Sequence, residues 1–300
     1  MMRVVVSAAS GLIGSALTAD LAAAGAEVIR LVRRRPQTAA ELGWDPRETD
    51  GGLDPGALRG ADAVVHLSGA PIAPRRWTPA RKAVLRSSRI GSTAALARAL
   101  ATADPPPGVL LCASAIGYYG QTGDRQVDET APPGTGFLAE LVRDWEAAAE
   151  PARAAGIRVV NFRSGVVLAA SGGMLGRLLP PFRLGLGAKI GSGQQYLSWI
   201  SVTDEIRAIK FLLDDKRAVG AFNLTAPVPV TNAQFTSALA RTLGRPAALT
   251  LPSAALRAAL GEVASELLGS SRVLPLRLQA AGFTFTHADI AAALGALLPS

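Results

Sequence analysis

Among 300 residues there is a single cysteine, Cys112, and there are only two histidines, His66 and His287. One thiol rules out an internal disulfide framework, and no Cys/His cluster has the spacing of a zinc site. Aromatic residues make up 5% of the chain, and lysine occurs only at Lys82, Lys189, Lys210 and Lys216. The net charge of +8 therefore rests on scattered arginines, clustered only at Arg33–Arg34–Arg35 and Arg75–Arg76. Nucleic-acid binders concentrate charge on a stripe beside stacking aromatics, and that pattern is missing. No apolar run reaches the ~18 residues that a membrane span needs. With 49% hydrophobic residues the chain still has ample material for a core. What remains is an enzyme-like globular protein, expected to be cytoplasmic. Its expected partner is a small-molecule substrate, with no nucleic acid and no membrane, and no pattern fixes an oligomeric state.

Arg3 followed by the apolar stretch from Val4 to Leu17 has the outline of a secretory signal. The β-branched run Val4–Val6, the interruptions at Gly11 and Gly14, and Asp20 beyond them read instead as strand, turn and helix. Further strand-like runs fall at Glu27–Val32, Ala63–Leu67, Val109–Ser114, Arg158–Arg163 and Ala221–Leu224. They alternate with helical stretches near Ile13–Ala24, Pro79–Ala101, Phe137–Ala155 and Thr203–Asp214. Such alternation predicts an α/β fold, a doubly wound parallel sheet of the Rossmann type. Gly172–Gly193 is Gly-rich without a clear period and reads as a loop region over the C-terminal edge of that sheet. Beyond Ala226 the rhythm is mostly helical, at Asn232–Leu243, Ser253–Leu268 and Ala288–Leu298. We therefore expect a dinucleotide-binding domain over 1–225 and a smaller, mainly helical lobe over 226–300 that covers the substrate cleft.

The stretch Ser7–Gly14 reads S-A-A-S-G-L-I-G, directly after a strand and at the mouth of a helix. A turn of this kind lets backbone N–H groups approach a pyrophosphate at the positive end of the helix. Gly11 and Gly14 have the spacing of a G-x-x-G-x-x-G turn, but Ala8 stands where the first glycine belongs. A tight β–α turn without any ligand accounts for the same residues. At the end of the second strand an NAD site places an acid for the ribose 2′-hydroxyl. Here that strand ends Val32–Arg33–Arg34, and arginine forks match a 2′-phosphate instead. NADP(H) is thus the expected cofactor, with an exposed basic turn as the plainer alternative.

Further motifs accumulate along the chain: W-D-P at Trp44–Pro46, H-L-S-G-A-P-I at His66–Ile72 and R-W-T at Arg76–Thr78. S-S-R-I-G-S-T follows at Ser87–Thr93, S-A-I-G-Y-Y-G at Ser114–Gly120 and F-L-A-E-L-V-R-D-W-E-A-A-A at Phe137–Ala149. S-W-I-S at Ser198–Ser201 and A-P-V-P-V-T-N at Ala226–Asn232 complete the set. In this order and spacing they resemble the short-chain dehydrogenase/reductase superfamily, specifically its atypical epimerase-like group with a C-terminal domain of unassigned role. The resemblance spans nearly the whole chain. It implies an extended dinucleotide-binding fold, NADP(H) use, and a poorly defined substrate. It also implies that Ser10, Gly11, Leu12 and Ile13 form the pyrophosphate turn and that Arg33 meets the 2′-phosphate, with Arg34 beside it. Leu67, Ser68 and Gly69 would line the cofactor. Arg89 takes a helix position where extended relatives carry Asn, and would hold an anionic substrate group or else form an ion pair. Ser201 stands where relatives often carry His.

The superfamily's usual proton relay is a Tyr with a Lys four residues later. Four residues after Tyr118, Tyr119 and Tyr196 come Thr122, Gly123 and Ile200, so the pair is missing. The remaining candidates are Ser114, Tyr118 and Tyr119, just past a strand end, where ligands of open α/β sheets sit. Aligning Tyr118 with the family's Tyr-Gly gives Ser114 the substrate-orienting place, whereas aligning Tyr119 gives it to Ala115. A packed aromatic corner is the plainer reading of the tyrosines. Gln194 and Trp199 bracket the Gly-rich segment as candidate pocket walls, Trp199 equally well as core. His66 reads as a satisfied core histidine, and His287 has no partner pattern. The preferred function is an NADP(H)-dependent oxidoreductase acting on a small carbonyl or hydroxyl compound. The alternatives are a catalytically silent NADP(H)-binding regulator or scaffold and, third, a sugar-nucleotide epimerase.

Overall fold

The computed structural model describes residues 1–48, 52–73 and 75–298. Seven strands form one parallel sheet: β1 (Arg3–Ser7), β2 (Glu27–Val32), β3 (Glu41–Gly43), β4 (Ala63–His66), β5 (Val109–Ala115), β6 (Arg158–Ser164) and β7 (Gly220–Leu224). Across the sheet the order is β7-β6-β5-β4-β1-β2-β3, so the direction of winding reverses beside β1. Ligands of doubly wound sheets bind at that reversal, outside the C-terminal ends of the strands. Continuous apolar runs such as Val4–Val6 and Ala63–Val65 are buried because helices cover both faces. One layer joins helices α1 (Leu12–Ala23) and α7 (Val202–Asp214) to the sheet through Leu17, Ile209 and Phe162. The other joins α3 (Ser92–Ala101) and α5 (Glu150–Ala154) through Leu96, Leu100 and Ala152.

Three departures from the sequence reading have local causes. The helix expected over 79–101 is α2 (Pro79–Arg86), a π-turn at Ser87–Gly91, and α3. Within it the Ser88 hydroxyl donates to Leu85 O (3.2 Å) and the Ser92 hydroxyl to Ser88 O (2.7 Å). Serines that bond back to the helix backbone loosen its regular register. The stretch expected over 137–155 is α4 (Phe137–Ala147) and α5, restarted at Pro151, which lacks an N–H for a continuous helix. The segment read as a loop carries α6 (Gly173–Arg183), whose Leu175, Leu179 and Phe182 recur at helical spacing and are buried. Strand β3 is three residues long, too short to show alternation.

The helical C-terminal part, with α8 (Asn232–Thr242) and α12 (Ile290–Leu297), shares a core with the segment 168–199. Leu168, Leu175, Phe182 and Trp199 pack there with Phe235, Leu239 and Leu294. The chain then returns to the main sheet, where Leu278 and Phe283 join the first layer. No helix among the described residues is long and apolar enough to cross a membrane.

Candidate active site at the C-terminal edge of the sheet

The turn between β1 and α1 leaves helix amides open to an anion. Gly11 caps α1 with no side-chain bond, so the first amides of the helix, from Leu12 onward, are left to a ligand. Ser10 and Gly11 are exposed, and Leu12 and Ile13 half-buried. A Cβ at Gly14 would lie 2.4 Å from Ala8 O, which accounts for that glycine. Ala8 has φ +51°, the left-handed region that glycine occupies freely and alanine at a cost of about 1 kcal/mol or more. The family's first glycine is thus a conformational requirement, which alanine meets under strain. Behind the turn, Ser7 accepts from Leu67 N–H (2.9 Å) and from the Ser68 hydroxyl (3.1 Å). Its own proton then goes to His66 Nδ1 at 2.9 Å, leaving Nε2–H to face Ser92 Oγ at 3.4 Å. Burial pushes His66 down to about 3, so this ring is a neutral core imidazole, edge-on to Trp44.

At the end of β2 the two expected arginines part company. Arg34 donates both terminal nitrogens to Glu41, at 2.9 and 2.7 Å, and Arg30 lies 3.2 Å from the same carboxylate. The bond from Arg34 is the main force that holds Glu41 down to about 2. Arg33 is exposed and makes no ion pair within 4 Å among the described residues, although its charge reaches Asp45. Arg33 is therefore the free fork, and Arg34 buttresses the edge strand.

The ends of β5 and β6 carry a network that the sequence reading missed. Arg163, 4% exposed, pairs with Glu146 of α4 through Nε (2.7 Å) and Nη2 (2.8 Å). Ser114 donates to the same carboxylate at 2.6 Å. Arg163 Nη1 donates to the Tyr119 hydroxyl (2.9 Å), which donates to Asn223 Oδ1 (2.7 Å). Burial opposes the charge on Arg163, but the bonds and attraction from Glu146 outweigh it and hold its pKa above the usual value. Burial also pushes the Tyr119 phenol up to about 12, against the pull of Arg163, so Tyr119 stays neutral. Tyr118 is different. It is half-buried, its hydroxyl has no partner among the described residues, and the Arg163 guanidinium lies 3.4 Å from its ring centre. The structure thus brings Ser114, Tyr118 and Tyr119 to one place, with the Ser114 and Tyr119 hydroxyls already engaged. The available signal was a second arginine in the buried strand Arg158–Ser164, directly after Phe162.

Arg89 sits in the π-turn, nine-tenths buried beneath the loop that follows β4, against Gly69. Its Nη1 donates to Ala70 O (3.0 Å) and it lies 5.2 Å from the Trp145 ring. Neither Arg89 nor its neighbour Arg81 has an ion-pair partner among the described residues; burial, then the charge of Arg81, lowers Arg89 to about 10. It stays a cation at neutral pH, without a counter-ion. Gln194 is exposed on its loop. Trp199 is fully buried and donates its indole N–H to Val228 O (3.1 Å). Of the two readings of Trp199, pocket wall and core, its complete burial matches the core. His287 does have partners: its Nδ1 lies 2.9 Å from Ser201 Oγ, and its N–H donates to Asp204. An imidazole from the C-terminal segment thus stands beside the serine that replaces the family's usual His. A depression of about 410 Å³ between Lys189, Arg241 and Arg245 holds none of these groups.

Comparison with known proteins matches residues 4–225 to the NAD dependent epimerase/dehydratase family and residues 251–297 to a domain of unknown function, DUF1731. An epimerase family protein of Mycobacterium bovis is 53% identical over 97% of this chain and 96% of its own length. Epimerase family protein SDR39U1 of Bos taurus is 41% identical, covering 98% of both chains. The human SDR39U1 crystal structure, solved with NADPH, superposes with a TM-score of 0.90 at 36% identity over 99% of both chains.

Proposed function

Because the chain belongs to the NAD dependent epimerase/dehydratase family, we propose that it is an NADP(H)-dependent oxidoreductase acting on a small carbonyl or hydroxyl compound. The free helix amides after Gly11 and the unpaired fork of Arg33 support the cofactor half of this reading, as does the NADPH in the human relative's structure. When bound, the cofactor supplies the hydride. The protein's task is then to deliver a proton to the carbonyl oxygen as negative charge develops on it. The observation that carries this role is the free hydroxyl of Tyr118 with Arg163 stacked on its ring. A cation on the ring face favours negative charge on the phenol oxygen in the transition state, the service that a lysine performs in the superfamily's usual pair. Tyr118 gives its proton to the developing alkoxide and recovers one from solvent. Arg89, charged and without a counter-ion, would receive an anionic group of the substrate.

One observation favours a second reading, an NADP(H)-binding protein without catalysis. Ser114 spends its proton on Glu146 and has none to offer a substrate. Both readings are tested by following NADPH oxidation with a panel of small aldehydes, ketones and 2-oxo acids. Tyr118→Phe should lower turnover by roughly 10²–10⁴ and leave NADPH affinity unchanged. Full activity in that variant would remove Tyr118 as the donor. NADPH binding without turnover on any member of the panel would favour the non-catalytic reading.

A further inference from the structure

Glu205, on α7, is fully buried and has no ion-pair partner among the described residues. Its Oε1 lies 2.5 Å from the hydroxyl of Ser164, and its Oε2 is buried without a hydrogen-bond partner among the described residues. Ser164 is the last residue of β6, half-buried, beside Ala115 at the end of β5. From it the chain runs on through Val166–Ala169, and the turn at Gly172–Gly173 packs on Leu12 of the pyrophosphate turn. Since the adenosine half belongs to β1 and β2, where Arg33 stands, the ends of β5 and β6 border the nicotinamide half. Ser164 is thus half-buried at the edge where ligands of such sheets bind, with a buried acid beside it.

We propose that Glu205 is a positioning residue which, as a neutral acid, makes Ser164 a hydrogen-bond donor toward an oxygen on the nicotinamide half of the bound dinucleotide. This rests on the dinucleotide reading above. The position of the proton follows from the partners. On Oε2 it would be a buried donor with no acceptor; on Oε1 it is donated to Ser164 Oγ, and the serine's own proton is free for the cleft. When Glu205 ionises, Ser164 must turn its proton inward and offers the cleft only lone pairs.

The surroundings favour the neutral acid. Burial raises Glu205 to about 8, with the Ser164 bond opposing. Charged groups on the elements packed against it are engaged elsewhere: Asp20 of α1 with Lys210, and Asp204 with Arg207 and the His287 backbone. Arg158 donates to Leu212 O and Leu213 O, while Arg163, next to Ser164 in the strand, is turned to Glu146. His66 is neutral.

The test is calorimetric titration of the full-length protein with NADPH and with 2′-phospho-ADP-ribose, which lacks nicotinamide, from pH 6.5 to 9.5. Dividing the two affinities cancels titration of the shared 2′-phosphate and of Arg33's surroundings. In the wild type the ratio should fall about tenfold between about pH 8 and pH 9. Glu205→Gln, whose amide donates to Ser164 as the neutral acid does, should hold the high ratio at every pH. Ser164→Ala should hold the low one. By linkage, NADPH should raise the Glu205 pKa by about one unit, read from its carboxylic C=O infrared band. A flat wild-type ratio, or a step that survives in Glu205→Gln, overturns the inference. Failure of both ligands to bind would overturn the dinucleotide reading itself.

Discussion

The two ends of the sheet's C-terminal edge achieve order by opposite means. Beside β1 and β2 the candidate binding groups are backbone amides and one exposed arginine, with few side-chain bonds among them. Beside β5 and β6 many polar groups are already engaged: Arg163, Glu146, Ser114, Tyr119 and Asn223 bond one another, while the neighbouring Tyr118 keeps a free hydroxyl. An open site is shaped by the backbone and tolerates side-chain change. A closed network gives rigidity, at the risk that losing one member leaves a buried charge unpaired.

That contrast is broken most forcefully at Arg163. Arg163→Met strands the Glu146 carboxylate and should cost about 3–5 kcal/mol in urea unfolding. A loss under 1 kcal/mol would mean that water reaches the network. At the other end, Arg33→Ala should leave stability within about 0.5 kcal/mol. Its effect should appear in ligand preference, where calorimetry of the wild type should give NADP(H) at least a tenfold lead over NAD(H), about 1.4 kcal/mol. Most of that lead should vanish in the variant. The smallest effect belongs to Ala8→Gly. Relief of the left-handed alanine, offset by the extra freedom of glycine in the unfolded chain, should raise stability by about 0.5–1 kcal/mol. Cofactor binding should tighten modestly with it. Unchanged unfolding would mean that the turn takes another path.

The same contrast explains what could be read from the amino-acid order. The Gly11–Gly14 spacing and the basic end of β2 are local, so the open end was legible, along with six strands and their parallel arrangement. Even there, the division of labour between Arg33 and Arg34 depends on Glu41, which belongs to a three-residue strand with no pattern of its own. The closed end was legible only in its hydroxyls. Glu146 and Arg163 are 17 residues apart, and Asn223 lies 104 residues beyond Tyr119. Nothing in their neighbourhoods announces a meeting that only the packing of α4 against the sheet creates. Glu205 looks like one more polar residue in a helix, and its solvent-free setting emerges only when α7 lies on the sheet. Trp199 reads from sequence as either wall or core, and only its packing with Leu168, Phe182 and Phe235 separates the two.

The C-terminal segment has a consequence for the order in which the molecule comes together. Arg272–Val273 pairs with Gln126–Val127, Leu274 O takes the Asn223 side-chain amide, and Val273 N–H donates to Ser198. His287 meets Ser201 at the foot of α7. Each contact joins a late residue to one made much earlier, and such distant closures are slow. During synthesis the pyrophosphate turn, β1 and β2 emerge first and can pack locally, as N-terminal parts generally do. The wall behind Tyr119 stays unfinished until residues 271–274 have been translated. A nascent chain would thus possess the β1–α1 turn well before the surroundings of Tyr119 are complete, which ties assembly of that end of the sheet to synthesis of the segment around residues 271–287.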